Sequence, residues 1–298
     1  MEIISRIAPT PSGYLHIGNA FNFLLTWLIT RKNSGRLILR IDDLDATRTR
    51  PEYISDIFET LKFLWIDYDQ GPKNLDDFRT IFSQTLRLKH YREALDILIA
   101  SHKLYSCNCS RKDIRESNVD NQYQRTCLDK NLPLTQEGFA WRVKVHPNHT
   151  CSWAEFPSGL IQKYDLGTRM PDFVVKRKDG IPAYQLASLV DDHFFGVNLI
   201  VRGNDLIGST AAQIYLAELL EIPLSTKTKI HHHTLIEDES GAKLSKSEGA
   251  LSIQALRRDG TKPRDIYSKF AKWQGFPAFE YEKPEDLLPY LPSKFIIN

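Results

Sequence analysis

Cysteine is scarce in this chain, four among 298 residues, and three of the four fall between positions 107 and 127. So few thiols, so clustered, exclude the disulfide framework of a small secreted domain and leave reduced thiols or a bound metal. An excess of one charge is missing too. Lysine and arginine number 39 against 37 aspartates and glutamates, a formal net charge of +2. Bulk charge therefore neither demands nor excludes a nucleic acid, and such a partner needs a local basic surface. No apolar run reaches bilayer-spanning length, and the opening Met1-Glu2-Ile3-Ile4 has neither a basic leader nor a cleavage site. The expectation is a soluble, cytoplasmic monomer with no membrane partner. Internal repeats and low-complexity stretches are absent as well. At 42% apolar residues the chain has enough for real cores, in one large α/β domain with an insertion or in two modest domains.

What is present centres on Arg6-Ile7-Ala8-Pro9-Thr10-Pro11-Ser12-Gly13-Tyr14-Leu15-His16-Ile17-Gly18-Asn19. This stretch follows a short apolar run, Ile3 to Ile7, and leads into a helical pattern from near Asn19, the strand-to-helix turn of a nucleotide-binding unit. Pro9 and Pro11 bar a helix, while Gly13 and Gly18 let backbone approach a ligand. A helix N-terminus offers unpaired N–H groups and a favourable dipole to an anion, which puts His16 and Gly18 where a phosphate would lie. An ordinary proline- and glycine-containing loop entering a helix has the same local signature. Far along the chain, Lys243-Leu244-Ser245-Lys246-Ser247, followed by Glu248 and Gly249, supplies a cationic clamp suited to charge developing on phosphate oxygens.

Between these stretches the pattern is α/β. Apolar residues recur at helical spacing from Leu24 to Lys32, and Asn33-Ser34-Gly35 closes that helix, with Gly35 expected as its left-handed stop. Leu37, Ile38, Leu39 and Ile41 make a short apolar run broken by Arg40, completing a β-α-β unit. Asp42, Asp43 and Asp45 fall at the carboxyl end of that second strand, where open parallel sheets bind ligands. Turn or capping roles account better for Asp43 and Asp45 than for Asp42. Pro51 opens another helix with Ile54, Ile57, Leu61 and Leu64 inward, and a further helix spans about 85–101. From about 104 to 180 the texture changes: all four cysteines lie here, and Trp141 to Val145 alternates as a strand does. A hairpin closes it, with Phe173 to Lys176 as one arm, Asp179-Gly180 as the turn and Ile181 to Gln185 as the other arm. Then Leu199-Ile200-Val201 reads as a buried strand, Ser209 as the cap of a helix, and 229–236 as extended. Two short helical stretches follow the lysine-rich loop, near 252–258 and 263–272.

His16-Ile17-Gly18-Asn19 together with Lys243-Leu244-Ser245-Lys246-Ser247 closely resembles the two signatures of class I aminoacyl-tRNA synthetases. Arg6 to Gly13, Leu39-Arg40-Ile41-Asp42-Asp43-Leu44-Asp45, Tyr184 and Val201-Arg202-Gly203-Asn204-Asp205 narrow it to the glutamate branch, across almost the whole chain. The resemblance implies an α/β fold: a Rossmann-like parallel sheet whose halves lie in 1–103 and 186–298, an inserted α+β subdomain in 104–185, and a short helical C-terminal part. It implies ATP with Mg²⁺, with His16, Lys243 and Lys246 on the triphosphate and Gly18 beside adenine or ribose. Glutamate would lie against Arg6, Ile7, Ala8, Pro9, Thr10, Asp42, Tyr184 and Arg202. Planar guanidiniums suit its carboxylates and Asp42 its ammonium. Position 42 is commonly glutamate in this family, and the shorter aspartate leaves the ammonium to a bridging water or a shifted pose.

Cys107-Asn108-Cys109, Tyr123 and Cys127 are similar to the zinc pattern of the shortened glutamyl-queuosine tRNA(Asp) synthetases. Three thiolates fill three positions of a tetrahedral zinc, and Tyr123 stands as an unusual fourth, with Cys151, His146 and His149 as substitutes. His231-His232-His233 alternates faces along a strand and reads as the edge of a site. No tRNA-reading domain of useful size is expected after the lysine-rich loop. The resemblance thus implies glutamate activation without tRNA, then esterification to queuosine in the anticodon loop of tRNA(Asp). A truncated synthetase charging an acceptor end and a non-catalytic tRNA-binding paralogue are the alternatives. Arg111, Lys112, Arg115 and Arg125 are candidates for RNA phosphates, equally explained as a solvated face.

Overall fold

The computed structural model describes residues 2–116, 122–235 and 252–297. Strand β1 (Ile4–Ile7) passes through the Pro/Gly turn into α1 (Ile17–Lys32) and returns as β2 (Arg36–Leu39), parallel to β1. His16 starts the helix by accepting the Gly18 amide on its ring nitrogen, and the Asn19 side chain caps back onto the His16 amide. At the other end the left-handed residue is Ser34, at φ 50°, not Gly35. Gly35 is needed for space, since a Cβ there would stand 2.7 Å from the Ile3 carbonyl oxygen.

Next come α2 (Pro51–Phe63) and α3 (Leu88–Ala100), β3 (Leu104–Cys107), α4 (Arg111–Glu116), β4 (Ala140–Val143), β5 (Thr150–Ala154), β6 (Ile161–Asp165) and β7 (Val174–Lys176). Then follow α5 (Tyr184–Phe194), β8 (Leu199–Gly203), α6 (Ile207–Leu219), β9 (Lys229–His233), α7 (Ile253–Arg258) and α8 (Pro263–Gln274). The main sheet is parallel throughout, in the order β2-β1-β8-β9, so the chain's first and last thirds share it. The stretch between them folds as an antiparallel sheet β3-β4-β7 and an antiparallel pair β5-β6. Among the described residues no helix is long and apolar enough to cross a membrane.

Two hydrophobic cores flank the parallel sheet. Helix α1 is buried on every side, with Leu24, Leu25, Leu28 and Ile29 fully inside and Phe21 edge-on to Phe270 of α8. Truncating such a leucine to alanine costs about 2–5 kcal/mol. The second core packs α5 and α6 against Ile200 and Ile230 of the sheet and against Val143, Trp153 and Val175 of the antiparallel strands.

Two expected features move. The arm expected over 181–185 is one bridge, Lys176 to Pro182, because proline has no N–H to extend a ladder. After Ala183 donates to Val175, Tyr184 opens helix α5. Ser209 lies inside α6 and caps nothing, because a 3₁₀ turn over Asn204–Leu206 starts the coil earlier. Its hydroxyl accepts from Gln185 instead.

Candidate active site at the strand ends

Four guanidiniums and four carboxylates are buried behind the carboxyl ends of β1, β2 and β8: Arg6, Arg40, Arg87 and Arg202 with Asp42, Asp43, Asp191 and Asp192. Arg40 donates to both oxygens of Asp42, at 2.7 and 3.2 Å, and to Asp192. Arg6 donates its Nε to the same Asp192 oxygen at 3.0 Å. Asp191, one residue on, accepts from Arg87 through both oxygens, from Tyr91 at 2.8 Å and from Gln84 at 2.8 Å. Asp43 holds the Ser83 hydroxyl and the Gln84 amide. Pairing of this kind is what permits buried charge, since an unpaired ion inside a protein costs several kcal/mol.

The charges settle unevenly. Burial raises the Asp42 carboxyl above its usual range despite Arg40. Burial pushes Asp192 the same way, but the fields of Arg6, Arg40 and Arg202 outweigh it and hold that carboxyl below the range. Arg202 is drawn below its ordinary value by burial, with Arg6 and Arg40 adding to the effect and Tyr184 and Asp192 opposing it. It is 3% exposed, and its Nη1 donates to Gln213 at 2.9 Å and to Thr210 at 3.3 Å. Among the described residues its Nε and Nη2 have no hydrogen-bond acceptor. A buried guanidinium with two open donors has the chemistry to seat a planar anion.

A cavity of about 240 Å³ opens beside this network, lined by Thr10, Asp42, Asp45, Gln84, Arg177 and Tyr184 among others. Arg177 also lines a groove of about 520 Å³ that carries Arg111, Arg142, Lys178 and Cys109. Ile7, Ala8 and Pro9 run alongside the end of β2, where Ile7 accepts the Arg40 amide and Pro9 the Asp42 amide.

His16 and Gly18 sit at the start of α1, and the Gly18 amide is taken up by the His16 ring. Lys243 and Lys246 lie outside the described residues. The chain on either side of that segment lies close to α1. His233 Nε2 meets Asn22 Oδ1 at 3.1 Å, Ser252 bridges to His16, and Ile253 donates to Leu15 at 2.7 Å. Arg257 of α7 then pairs with Asp56 and Glu59 of α2.

The sulfurs of Cys107, Cys109 and Cys127 lie within 4.8 Å of one another. A zinc with Zn–S bonds of about 2.3 Å needs its sulfurs about 3.8 Å apart, so the three fit one ion. Tyr123 adjoins the cluster: its oxygen accepts the Cys127 amide at 3.0 Å and hydrogen-bonds Cys107. Arg142 stacks 3.6 Å over the Tyr123 ring. Burial works against the Cys107 thiolate, but Tyr123 and Arg142 outweigh it and lower the thiol, whereas burial pushes Cys109 up to about 12.

The substitutes for Tyr123 have partners of their own. Cys151 bonds Ala211 in the second core, His149 stacks on Tyr215, and His146 bonds Asn148. Arg125 is engaged by the Val145 carbonyl at 2.6 Å and by Asp172 at 3.3 Å, so it is not among the solvated cations. Arg111, Lys112 and Arg115 are exposed or nearly so on α4. Sequence reasoning missed Arg40, Gln84, Arg87, Asp191 and Asp192. The tandem Asp191-Asp192 was the available signal: two acids at the buried end of an apolar stretch require cations from elsewhere.

Residues 2–282 match the family described as tRNA synthetases class I (E and Q), catalytic domain. The chain is 33% identical to the glutamyl-Q tRNA(Asp) synthetase of Nitratidesulfovibrio vulgaris, over 98% of this chain and 92% of that one. It is 34% identical to the glutamate–tRNA ligase of Citrifermentans bemidjiense, over 88% of this chain and 55% of that one. Among solved structures, a glutamate tRNA ligase from Elizabethkingia meningosepticum in complex with its amino acid superimposes with a TM-score of 0.79 at 20% identity. It covers 99% of this chain and 66% of that one. With a parallel sheet of that architecture and these relatives, the chain belongs to the class I aminoacyl-tRNA synthetases of the glutamate and glutamine branch, which are ligases.

Proposed function

We propose that this protein activates glutamate with ATP, without needing tRNA for that step, and transfers it to queuosine in the anticodon loop of tRNA(Asp). The observation that carries the amino-acid half is Arg202, whose two open donors are buried beside Arg6 and Asp192. The side-chain carboxylate of glutamate is the planar anion that satisfies them, and Tyr184 supplies a hydroxyl nearby. Arg6 and Arg40, held by Asp192, keep the pocket positive without taking the ligand's place. The ammonium faces Asp42, whose oxygens are drawn onto Arg40. A bridging water then completes the contact that a longer side chain makes directly.

Adenylation asks little covalent work of the protein, because the α-carboxylate of glutamate is itself the nucleophile on the α-phosphorus. Positioning and charge stabilisation are the tasks. His16 at the helix start, with Lys243 and Lys246, takes the triphosphate that arrives with Mg²⁺. Anchoring of the flanking chain on Leu15, His16 and Asn22 supports their meeting there. Gly18 lies where backbone can approach adenine or ribose. Residues 104–185 act as an inserted subdomain between halves 1–103 and 186–298. Its Cys107, Cys109 and Cys127, with Tyr123, hold a structural zinc that ties the end of β3 to the following loop. RNA phosphates run along the groove of Arg111, Arg177 and Lys178, which meets the amino-acid cavity at Arg177.

Pyrophosphate exchange tests the first step. It is expected to depend on glutamate, with ATP and Mg²⁺ but no tRNA. A sustained preference for another amino acid, or an absolute need for tRNA, would contradict the reading.

A further inference from the structure

Arg202 is aimed by a chain of hydrogen bonds that begins outside the parallel sheet. The register of β8 on β9 puts His232 directly beside Arg202, with both side chains on the same face. Thr210 of α6 closes the gap: its hydroxyl lies 2.8 Å from His232 Nε2 and accepts from Arg202 Nη1 at 3.3 Å. On the far side of the ring, His232 Nδ1 lies 2.8 Å from Glu155 Oε2, while Glu155 Oε1 accepts the His232 main-chain amide. Glu155 also accepts from Trp153 Nε1 and sits between β5 and β6, where it bridges to Ile230 of β9. The side chains of His232 and Glu155 are 4% and 14% exposed, and Thr210 is 1% exposed.

The chemistry gives this chain a direction. An ionised carboxylate only accepts, so His232 Nδ1 carries the proton that faces Glu155. Nε2, as the acceptor, takes the hydroxyl hydrogen of Thr210, whose other acceptor, the Leu206 carbonyl, is farther, at 3.3 Å. With its hydrogen committed, Thr210 turns lone pairs toward Arg202. From Arg202 Nη1 to Glu155 each donor of the chain finds an acceptor, while Gln213 takes the other contact on Nη1. The guanidinium plane is thereby fixed at one nitrogen, and its Nε and Nη2 are left aimed elsewhere.

We propose that Thr210, His232 and Glu155 are positioning residues for amino-acid recognition, and that through Glu155 the segment between the two halves of the sheet sets the orientation of Arg202. This rests on the reading of Arg202 as the carboxylate seat.

Glutamate-dependent pyrophosphate exchange on the full chain tests it. Thr210→Val keeps the shape but removes the acceptor, and is expected to raise KM for glutamate about tenfold, the worth of one bond to a charged group. kcat is expected to change by less than about twofold, with KM for ATP unmoved, because a positioning loss acts on ground-state binding of one substrate. His232→Leu is expected to match it, Glu155→Gln to raise KM about threefold by turning one acceptor into a donor, and Thr210→Ser to restore the parent value. Melting curves confirm that each variant folds, and Arg202→Lys runs alongside. If Arg202→Lys weakens glutamate while Thr210→Val and His232→Leu do not, the positioning role alone is overturned. If Arg202→Lys is silent too, the seat itself is lost and the proposal with it. A parallel rise of KM for both substrates in Thr210→Val and His232→Leu would also overturn it.

Discussion

The strand-end network and the cysteine cluster both crowd groups that repel or resist burial, and they contain the cost differently. At the strand ends, guanidiniums and carboxylates from distant parts of the chain neutralise one another: Arg6 with Asp192, Arg87 with Asp191, Arg40 with both Asp42 and Asp192. The site's charges are paired within the protein, and among the described residues Arg202 Nε and Nη2 are left without an acceptor. In the cluster, three sulfurs and a phenol gather within a short span of sequence beside the Arg142 guanidinium, in a set that could hold one metal ion. In the function proposed above, the first arrangement pre-forms a recognition site and the second fastens a loop through its metal.

The comparison can be broken in several places. The largest expected effect lies on the triphosphate: Lys246→Ala should lower kcat for pyrophosphate exchange by about 10²–10³-fold with an unchanged melting temperature. Equal activity would remove that lysine from the chemistry. Arg202→Lys comes next, with KM for glutamate up about 100-fold, because a point charge cannot reproduce a planar fork. Asp191→Asn should cost stability, about 3–5 kcal/mol by denaturant titration, since it leaves Arg87 buried without its counter-charge. Cys107→Ser, or a strong chelator, should release about one zinc per chain and lower the melting temperature while glutamate-dependent exchange stays within about threefold. Loss of exchange in parallel with zinc would mean that the two regions are one unit. Asp42→Glu has the smallest expected effect, a KM for glutamate lowered about threefold as the longer carboxylate reaches past Arg40.

Acid sharpens the same contrast within the network. Asp192 is held below the usual carboxylate range, so its contribution to stability is present above its unfolded value and is lost only as pH falls through the lower folded value. Asp42 is raised by burial, so it protonates first on acidification, and that step relieves rather than weakens the fold. KM for glutamate is therefore expected to rise at a pH where melting temperature is still level. A simultaneous collapse of both would contradict this division.

Much of the site was legible from sequence because its parts lie where strands end. Arg6 and Asp42 follow β1 and β2 by simple β-α-β logic, and Arg202 follows from an apolar run that stops at Gly203. The cysteine spacing was legible too, since its members are close in sequence. What stayed hidden was the counter-charge. Arg6 and Asp192 are separated by 186 residues and Arg87 and Asp191 by 104, and no local pattern announces such pairs. Helix α5, which carries Tyr184, Asp191 and Asp192, was hidden behind Pro182, whose turn chemistry read as a continuing hairpin. His232 looked like one of three tandem histidines, and only the register of β9 on β8 gave it Arg202 as a neighbour.

The identity of the final acceptor is tested most directly by incubating the protein with labelled glutamate, ATP and tRNA(Asp) isolated with and without queuosine, then cleaving the RNA to locate the label. The account predicts label on the queuosine-bearing tRNA alone, held in the anticodon loop. Label on the 3′-terminal ribose, or equal labelling of both tRNAs, would contradict it.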